Sequence, residues 1–262
     1  MLRHRLIPVL LLKNGFLVRS ERFDIHQRLG NPLYEVKRFN EWNVDELIYL
    51  DITQAGDYDI GRDDHKTKGL TSSLEILEEV SKTCFMPLTW GGRLRTIEQM
   101  HEVFRKGADK VAINTGAVEN PDLIRQAAQR FGNQAIVVSI DVSTFDGGKP
   151  MVMIHGGRQP TPWDAVSWSV EVEKLGAGEI LIQSIQRDGT GEGYDLDLIH
   201  SVAQAVSIPV IACSGVGVFE DYAKAIKAGA SAAAAANIWH FKELSDRQGK
   251  RAMSRAGIDV RL

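Results

Sequence analysis

Short apolar runs recur along the chain between longer amphipathic stretches, the alternation expected of parallel strands joined by crossover helices. The runs predict strands at Leu6–Leu12, Glu46–Ile52, Met86–Trp90, Lys110–Ile113, Ala135–Ile140, Glu179–Ser184, Ile208–Cys213 and Ala232–Ala235. Eight is the number that closes an α/β barrel. Asn31-Pro32 and Asn120-Pro121 each offer an N-cap asparagine followed by proline at the first helical position. Gly107, Gly176 and Gly229 mark helix ends.

The pattern also repeats. An offset of 122, the separation of Pro87 and Pro209, lays Met86–Ala117 over Ile208–Trp239 without a gap, pairing Glu98 with Glu220 and Gly107-Ala108 with Gly229-Ala230. A second offset of 133 lays Glu46-Leu-Ile-Tyr-Leu over Glu179-Ile-Leu-Ile-Gln. The second, third and fourth units thus resemble the sixth, seventh and eighth, which predicts a (β/α)8 TIM barrel of two duplicated half-barrels over residues 1–262. A doubly wound sheet does not predict this, and no Gly-x-Gly-x-x-Gly follows the first strand.

Composition narrows the functional classes. With 31 Lys plus Arg against 34 Asp plus Glu, the net charge of −3 gives no global field for a polyanion, so nucleic-acid binding is not expected. Cys84 and Cys213 fit no zinc spacing, and the histidines His4, His65, His155 and His240 form no metal set; neither a metal nor another cofactor is expected. Arg3, His4 and Arg5 precede an apolar run, as in a signal peptide, but the run is short, contains Pro8 and closes on Lys13-Asn14-Gly15. It reads as a buried strand and turn, and no segment approaches a membrane span, so a reducing cytoplasm is the expected compartment.

In a barrel of this kind, chemistry belongs at the carboxyl ends of the strands. Gly91-Gly92 and Asn114-Thr115 end strands in the first half; Ser214-Gly215 and Ala236-Asn237 do so in the second. Such residues let backbone N–H groups approach an anion. Two quasi-equivalent phosphate sites on opposite sides of one mouth are therefore expected, suited to a substrate phosphorylated at each end. Asp141 ends the fifth strand and is the candidate catalytic acid or base. Asp51 is either such a group or a loop cap, and Asp188 with Gly189 and Thr190 orders a phosphate loop. Trp90 and Trp239 either wall the pocket or pack, and Cys213 is a small core residue with no identifiable base.

Leu50-Asp-Ile-Thr, Gly107-Ala-Asp-Lys-Val-Ala-Ile-Asn-Thr, Ala117-Val-Glu-Asn-Pro, Ser139-Ile-Asp, Gly176-Ala-Gly-Glu-Ile, Arg187-Asp-Gly-Thr and Gly257-Ile-Asp-Val-Arg stand in order along nearly the whole chain. Together they resemble the cyclase subunit of imidazole glycerol phosphate synthase. That resemblance implies a barrel that receives ammonia from a glutaminase subunit docked at its N-terminal face and passes it up the axis. There it reacts with a doubly phosphorylated formimino carboxamide nucleotide. Two aspartates act as acid and base in that family; Asp141 matches one, but the family's Asp-Val-Lys-Asp-Gly is Leu11-Leu-Lys-Asn-Gly here. Arg93 stands where the phosphate loop has a third glycine, and a long polar loop runs from Gln54 to Thr71.

Arg5, Glu46, Lys110 and Glu179 at the strand entrances match the charged ring that gates the ammonia channel in that family. Three readings follow. The first is an orthodox cyclase of histidine biosynthesis. The second is a paralogue supplying ammonia, with an ATP-dependent amidotransferase, for amidination of a nucleotide-linked sugar in surface-polysaccharide synthesis. The third is a non-catalytic activator of the glutaminase. Leu11 beside an intact gate favours the second or third.

Overall fold

Strands buried on both faces read as continuous apolar runs, and such strands form the wall of the barrel. The computed structural model describes residues 3–42, 44–54, 72–145, 147–242 and 244–262. Its strands are β1 (Arg5–Lys13), β2 (Phe16–Glu21), β3 (Ile25–Gly30), β4 (Leu47–Asp51), β5 (Leu88–Gly91), β6 (Lys110–Ile113), β7 (Ile136–Thr144), β8 (Pro150–Ile154), β9 (Gln159–Asp164), β10 (Glu179–Ser184), β11 (Val210–Cys213) and β12 (Ala232–Ala235). Its helices are α1 (Pro32–Trp42), α2 (Ser73–Ser81), α3 (Ile97–Arg105), α4 (Thr115–Glu119), α5 (Asp122–Phe131), α6 (Ala165–Leu175), α7 (Leu196–Ala205), α8 (Glu220–Lys227), α9 (Ile238–Phe241) and α10 (Ser245–Arg255).

Parallel pairing runs β1-β4-β5-β6-β7-β10-β11-β12 and returns from β12 to β1, which closes the eight-stranded (β/α)8 barrel expected from the periodicity. All eight predicted strands are present. Two antiparallel extensions were not predicted: β1 continues into the hairpin β2–β3, and β7 continues into β8–β9. They grow from the first and fifth units, so the twofold repeat of the barrel extends to its mouth.

Alternation along each strand divides the apolar residues into two cores. Leu6, Leu10 and Leu12 pack outward against the helices, while Ile7, Val9 and Leu11 face the axis. Ile48, Leu50, Val137, Leu181, Ile211, Ala232 and Ala234 join the inner set. The four alanines of β12 show the size constraint: two face in and two face out, all at most 2% exposed.

Helix signals hold in most places. Asn31 Oδ1 accepts from Leu33 N–H at 2.8 Å and Pro32 opens α1. Gly107, Gly176 and Gly229 follow α3, α6 and α8 with left-handed φ. Asn120 does not cap α5 as expected: α5 opens at Asp122 with no side-chain cap, because Asn120 instead closes the short α4, its N–H donating to the Gly116 carbonyl at 3.1 Å. The fifth strand also differs. Ala135 closes a 3-10 turn, and β7 runs past Asp141 to Thr144 because pairing with β8 takes over where the barrel wall ends.

A buried pair fastens the last helix to the barrel floor. Lys250 Nζ of α10 donates to Asp45 Oδ1 at 2.9 Å, and Asp45 Oδ2 accepts from Leu6 N–H at 2.9 Å. The two side chains are 4% and 9% exposed. Breaking such a pair strands a buried charge, so Lys250→Met should cost about 3–5 kcal/mol in urea unfolding; a loss below about 1 kcal/mol would show that the clamp is dispensable. Among the described residues, no helix is long and apolar enough to cross a membrane.

Candidate active site and axial ring

At the amino-terminal end of the barrel four side chains close a ring. Arg5 NH1 donates to Glu46 Oε1 at 2.6 Å and Glu179 Oε1 at 2.9 Å; Lys110 Nζ donates to Glu46 Oε2 at 3.2 Å and Glu179 Oε2 at 3.1 Å. Each carboxylate thus bridges both cations, and the side chains are only 10–21% exposed. Arg5 is held above its ordinary pKa: burial disfavours its charge, but the two glutamates more than compensate. Above the ring the axis is lined by the inner apolar set.

At the carboxyl end the strands open into a cavity of about 1390 Å³. Its wall holds Leu11, Asp141 and all ten residues proposed for the phosphate loops: Gly92, Arg93, Asn114, Thr115, Asp188, Gly189, Ser214, Gly215, Ala236 and Asn237. The ring residues lie outside this wall. The fold therefore separates a charged entrance from an open mouth by a layer of aliphatic side chains.

The two glycine loops are built alike and substituted differently. Each has two consecutive left-handed residues, Gly92-Arg93 (φ 104°, 60°) and Ser214-Gly215 (φ 79°, 98°), and the offset of 122 superposes Gly92 on Ser214 and Arg93 on Gly215. A Cβ on Gly92 would lie 2.1 Å from the Asp51 carbonyl oxygen, and one on Gly215 would lie 2.3 Å from that of Gly193. Glycine is required at those two positions; at the other two the chain accepts a left-handed side chain at a cost of order 1–3 kcal/mol each. Thr115 and Asn237, also equivalent under the repeat, do matching work: Thr115 Oγ1 accepts from His155 N–H in the β8–β9 turn at 3.1 Å, and Asn237 Nδ2 donates to the Ser20 carbonyl of β2 at 2.8 Å. Each loop is tied to one hairpin. Asn114 Oδ1, Ser214 Oγ and Asn237 Oδ1 are buried in the wall with no partner among the described residues.

Asp141 sits at the axis end of the cavity, fully buried. Gln183 Nε2 donates to its Oδ1 at 2.9 Å and to Ser139 Oγ at 3.2 Å. Ser139 and Gln183 were not singled out from sequence, although a polar residue at every second position of a buried strand was the available signal. Burial pushes the Asp141 carboxyl up to about 7, against hydrogen bonds from Gln183, Ser139 and Asn114 that favour the anion, while the charge of Asp188 adds to the rise. A carboxyl poised there exchanges a proton at neutral pH. Asp188 is raised by its own burial; its Oδ2 accepts from Phe23 N–H at 3.3 Å and its carbonyl from Arg22 N–H at 2.9 Å, so it holds the β2–β3 turn as well as its own loop.

A raised native pKa means that the unfolded chain loses this proton first. The associated stability is present below the unfolded value near 4 and is lost as pH rises through about 7. Asp141→Asn should therefore stabilise the fold at pH 8 by up to about 4 kcal/mol, with little effect at pH 4. Thermal unfolding of both proteins across that range checks this; equal differences at both ends would contradict it.

Leu11 occupies the opposite wall. It pairs in register with Leu50 and Val18, packs in the inner apolar set and is 7% exposed. Asp51, the wall carboxylate one strand over, accepts from Thr53 N–H at 3.0 Å as a loop cap. Trp90 stacks on Tyr49 with ring centroids 5.2 Å apart and also lines the cavity, while Trp239 meets Phe39 edge-on at 5.5 Å and packs outside it. Burial pushes the Cys213 thiol up to about 12, leaving it inert. No group of three or more metal-binding side chains exists among the described residues. The polar loop from Gln54 to Thr71 lies outside the described residues apart from Gln54 itself.

A model of the histidine biosynthesis protein family matches residues 5–245. The chain belongs to that family. It is a barrel enzyme of the histidine-biosynthesis type, and the matched span covers the closed barrel, both hairpins, the ring and the cavity. Family membership agrees with the resemblance read from the motifs.

Proposed function

We propose that this barrel is the synthase-type subunit of a two-part glutamine amidotransferase, taking ammonia from a glutaminase at its amino-terminal face and releasing it at the cavity. The observation that carries this reading is the closed ring of Arg5, Glu46, Lys110 and Glu179 around the axis, followed by an apolar passage. Two cations and two carboxylates drawn into a narrow entrance cost several kcal/mol in desolvation, which strand starts facing water do not require. Neutral ammonia crosses an aliphatic lining that ammonium does not.

At the outlet, Asp141 is the proton-handling group and Leu11 transfers none. The reading that fits best is a divergent paralogue whose ammonia serves another reaction, the amidination of a nucleotide-linked sugar by an ATP-dependent amidotransferase. Asp141 poised near 7 supports a second reading, an orthodox cyclase with one acid/base group. The test mixes the purified protein with ammonium salt and the phosphorylated formimino nucleotide and follows loss of its absorbance. Turnover about 10² to 10⁴ below an ordinary cyclase is expected; ordinary turnover would remove the divergent reading.

A further inference from the structure

The two hairpins that grow from equivalent units meet over the mouth. A Cβ on Gly157 in the β8–β9 turn would lie 2.9 Å from Ile185 Cδ1 and 3.4 Å from Phe23 Cδ2 in the β2–β3 turn, so the turns are packed together. At this junction three basic side chains of different origin line the cavity: Lys13 at the end of β1, His26 on β3 and Arg158 in the β8–β9 turn. Lys13 Nζ lies 3.1 Å from His26 Nδ1. That contact requires the ring nitrogen to accept, hence a neutral imidazole; a protonated ring would set two donors face to face. Neither Lys13 nor Arg158 forms an ion pair among the described residues.

We propose that this junction is an anion site for a phosphoryl group, separate from the two glycine loops, in which Lys13, His26 and Arg158 all donate to one bound dianion. A phosphoryl group fits better than a carboxylate. Its second charge matches two fixed cations and one titratable ring, and its several oxygens receive donors arriving from three elements. It also resolves the crowding, since an oxygen between Lys13 and His26 turns a contact that forbids ring protonation into one that favours it.

The free state agrees with this geometry. Burial first, and then the charge of Lys13, hold His26 below its usual range; a backbone hydrogen bond and the charge of Asp24 oppose them, and the charge of Arg158 adds the smallest push downward. A bound dianion reverses the balance, so the ring's titration should move upward on binding. The site stands apart from the source of the nitrogen, so its failure would leave the ammonia reading untouched.

The test is proton NMR of the His26 imidazole, assigned by its loss in His26→Gln, during additions of inorganic phosphate and, separately, acetate at matched ionic strength. Saturable movement with phosphate and a higher ring titration midpoint are expected, with little response to acetate. Lys13→Met or Arg158→Met should weaken the response roughly tenfold, while Arg93→Met, which alters a glycine loop, should leave it unchanged. No phosphate-specific movement, an undiminished response in both junction variants, or an equal loss in Arg93→Met would overturn the site. The upward shift is read in wild-type protein, so a Lys13 or Arg158 variant that fails to fold leaves the proposal testable.

Discussion

Leu11→Asp is expected to raise turnover of ammonium with the phosphorylated formimino nucleotide by about 10² to 10⁴ over the wild-type chain. The substitution puts a carboxyl on the inward face of β1, across the mouth from Asp141. Both groups then stand in apolar walls, and their mutual repulsion spreads their titrations so that one is an acid while the other is a base near neutrality. The cost falls on stability, because Leu11 packs in the inner core at 7% exposure. Folding is verified by near-ultraviolet circular dichroism before rates are compared. A folded variant without recovery would move the cause to Arg93 or the region from Gln54 to Thr71.

The second large effect is expected at the other end of the barrel. Glu46→Ala removes one of the two acceptors shared by Arg5 and Lys110, and Lys110→Ala leaves Glu46 and Glu179 held by Arg5 alone. Either change should lower glutamine-dependent synthesis by roughly tenfold or more while altering the rate with free ammonium far less. Paired assays of a glutaminase complex with each nitrogen source measure the split. Equal losses would make the ring a structural clamp like Lys250–Asp45, not a gate.

The barrel was legible because its strands are buried on both faces and its helices carry a different period. Leu6–Leu12 and Ala232–Ala235 declare themselves by unbroken apolar runs, and the offset of 122 predicted which loops would face each other. The hairpins were not legible for the opposite reason. β3 is Ile-His-Gln-Arg-Leu-Gly with no residue buried, and β9 carries two prolines, so neither shows a two-residue apolar period. Their strand character comes from pairing with β2 and β8, a tertiary cause that local composition does not record. Consequently Lys13, His26 and Arg158, distant in sequence, gave no signal as a group.

The entrance was legible in type but not in bonding. Arg5, Glu46, Lys110 and Glu179 stood out as charges at strand starts, yet only the closed geometry has each glutamate spanning both cations. Asp141 was found, but as a strand end; Ser139, two positions back on the same inward face, and Gln183, in register with Asp141 on the neighbouring β10, set its hydrogen bonding. The offset of 122 aligned Gly92-Arg93 with Ser214-Gly215, but their shared left-handed backbone is seen only in the φ angles, because residue identity places the side chain at different positions in the two loops.

The most direct measurement of the axial path follows isotopically labelled amide nitrogen. The Leu11→Asp chain, paired with a glutaminase subunit, is given labelled glutamine in excess unlabelled ammonium, with the phosphorylated formimino nucleotide as acceptor. Transfer through the barrel predicts product that keeps the glutamine label despite the unlabelled pool. Product carrying the isotope ratio of bulk ammonium would contradict the account, because the nitrogen would have reached the cavity from solvent rather than along the axis.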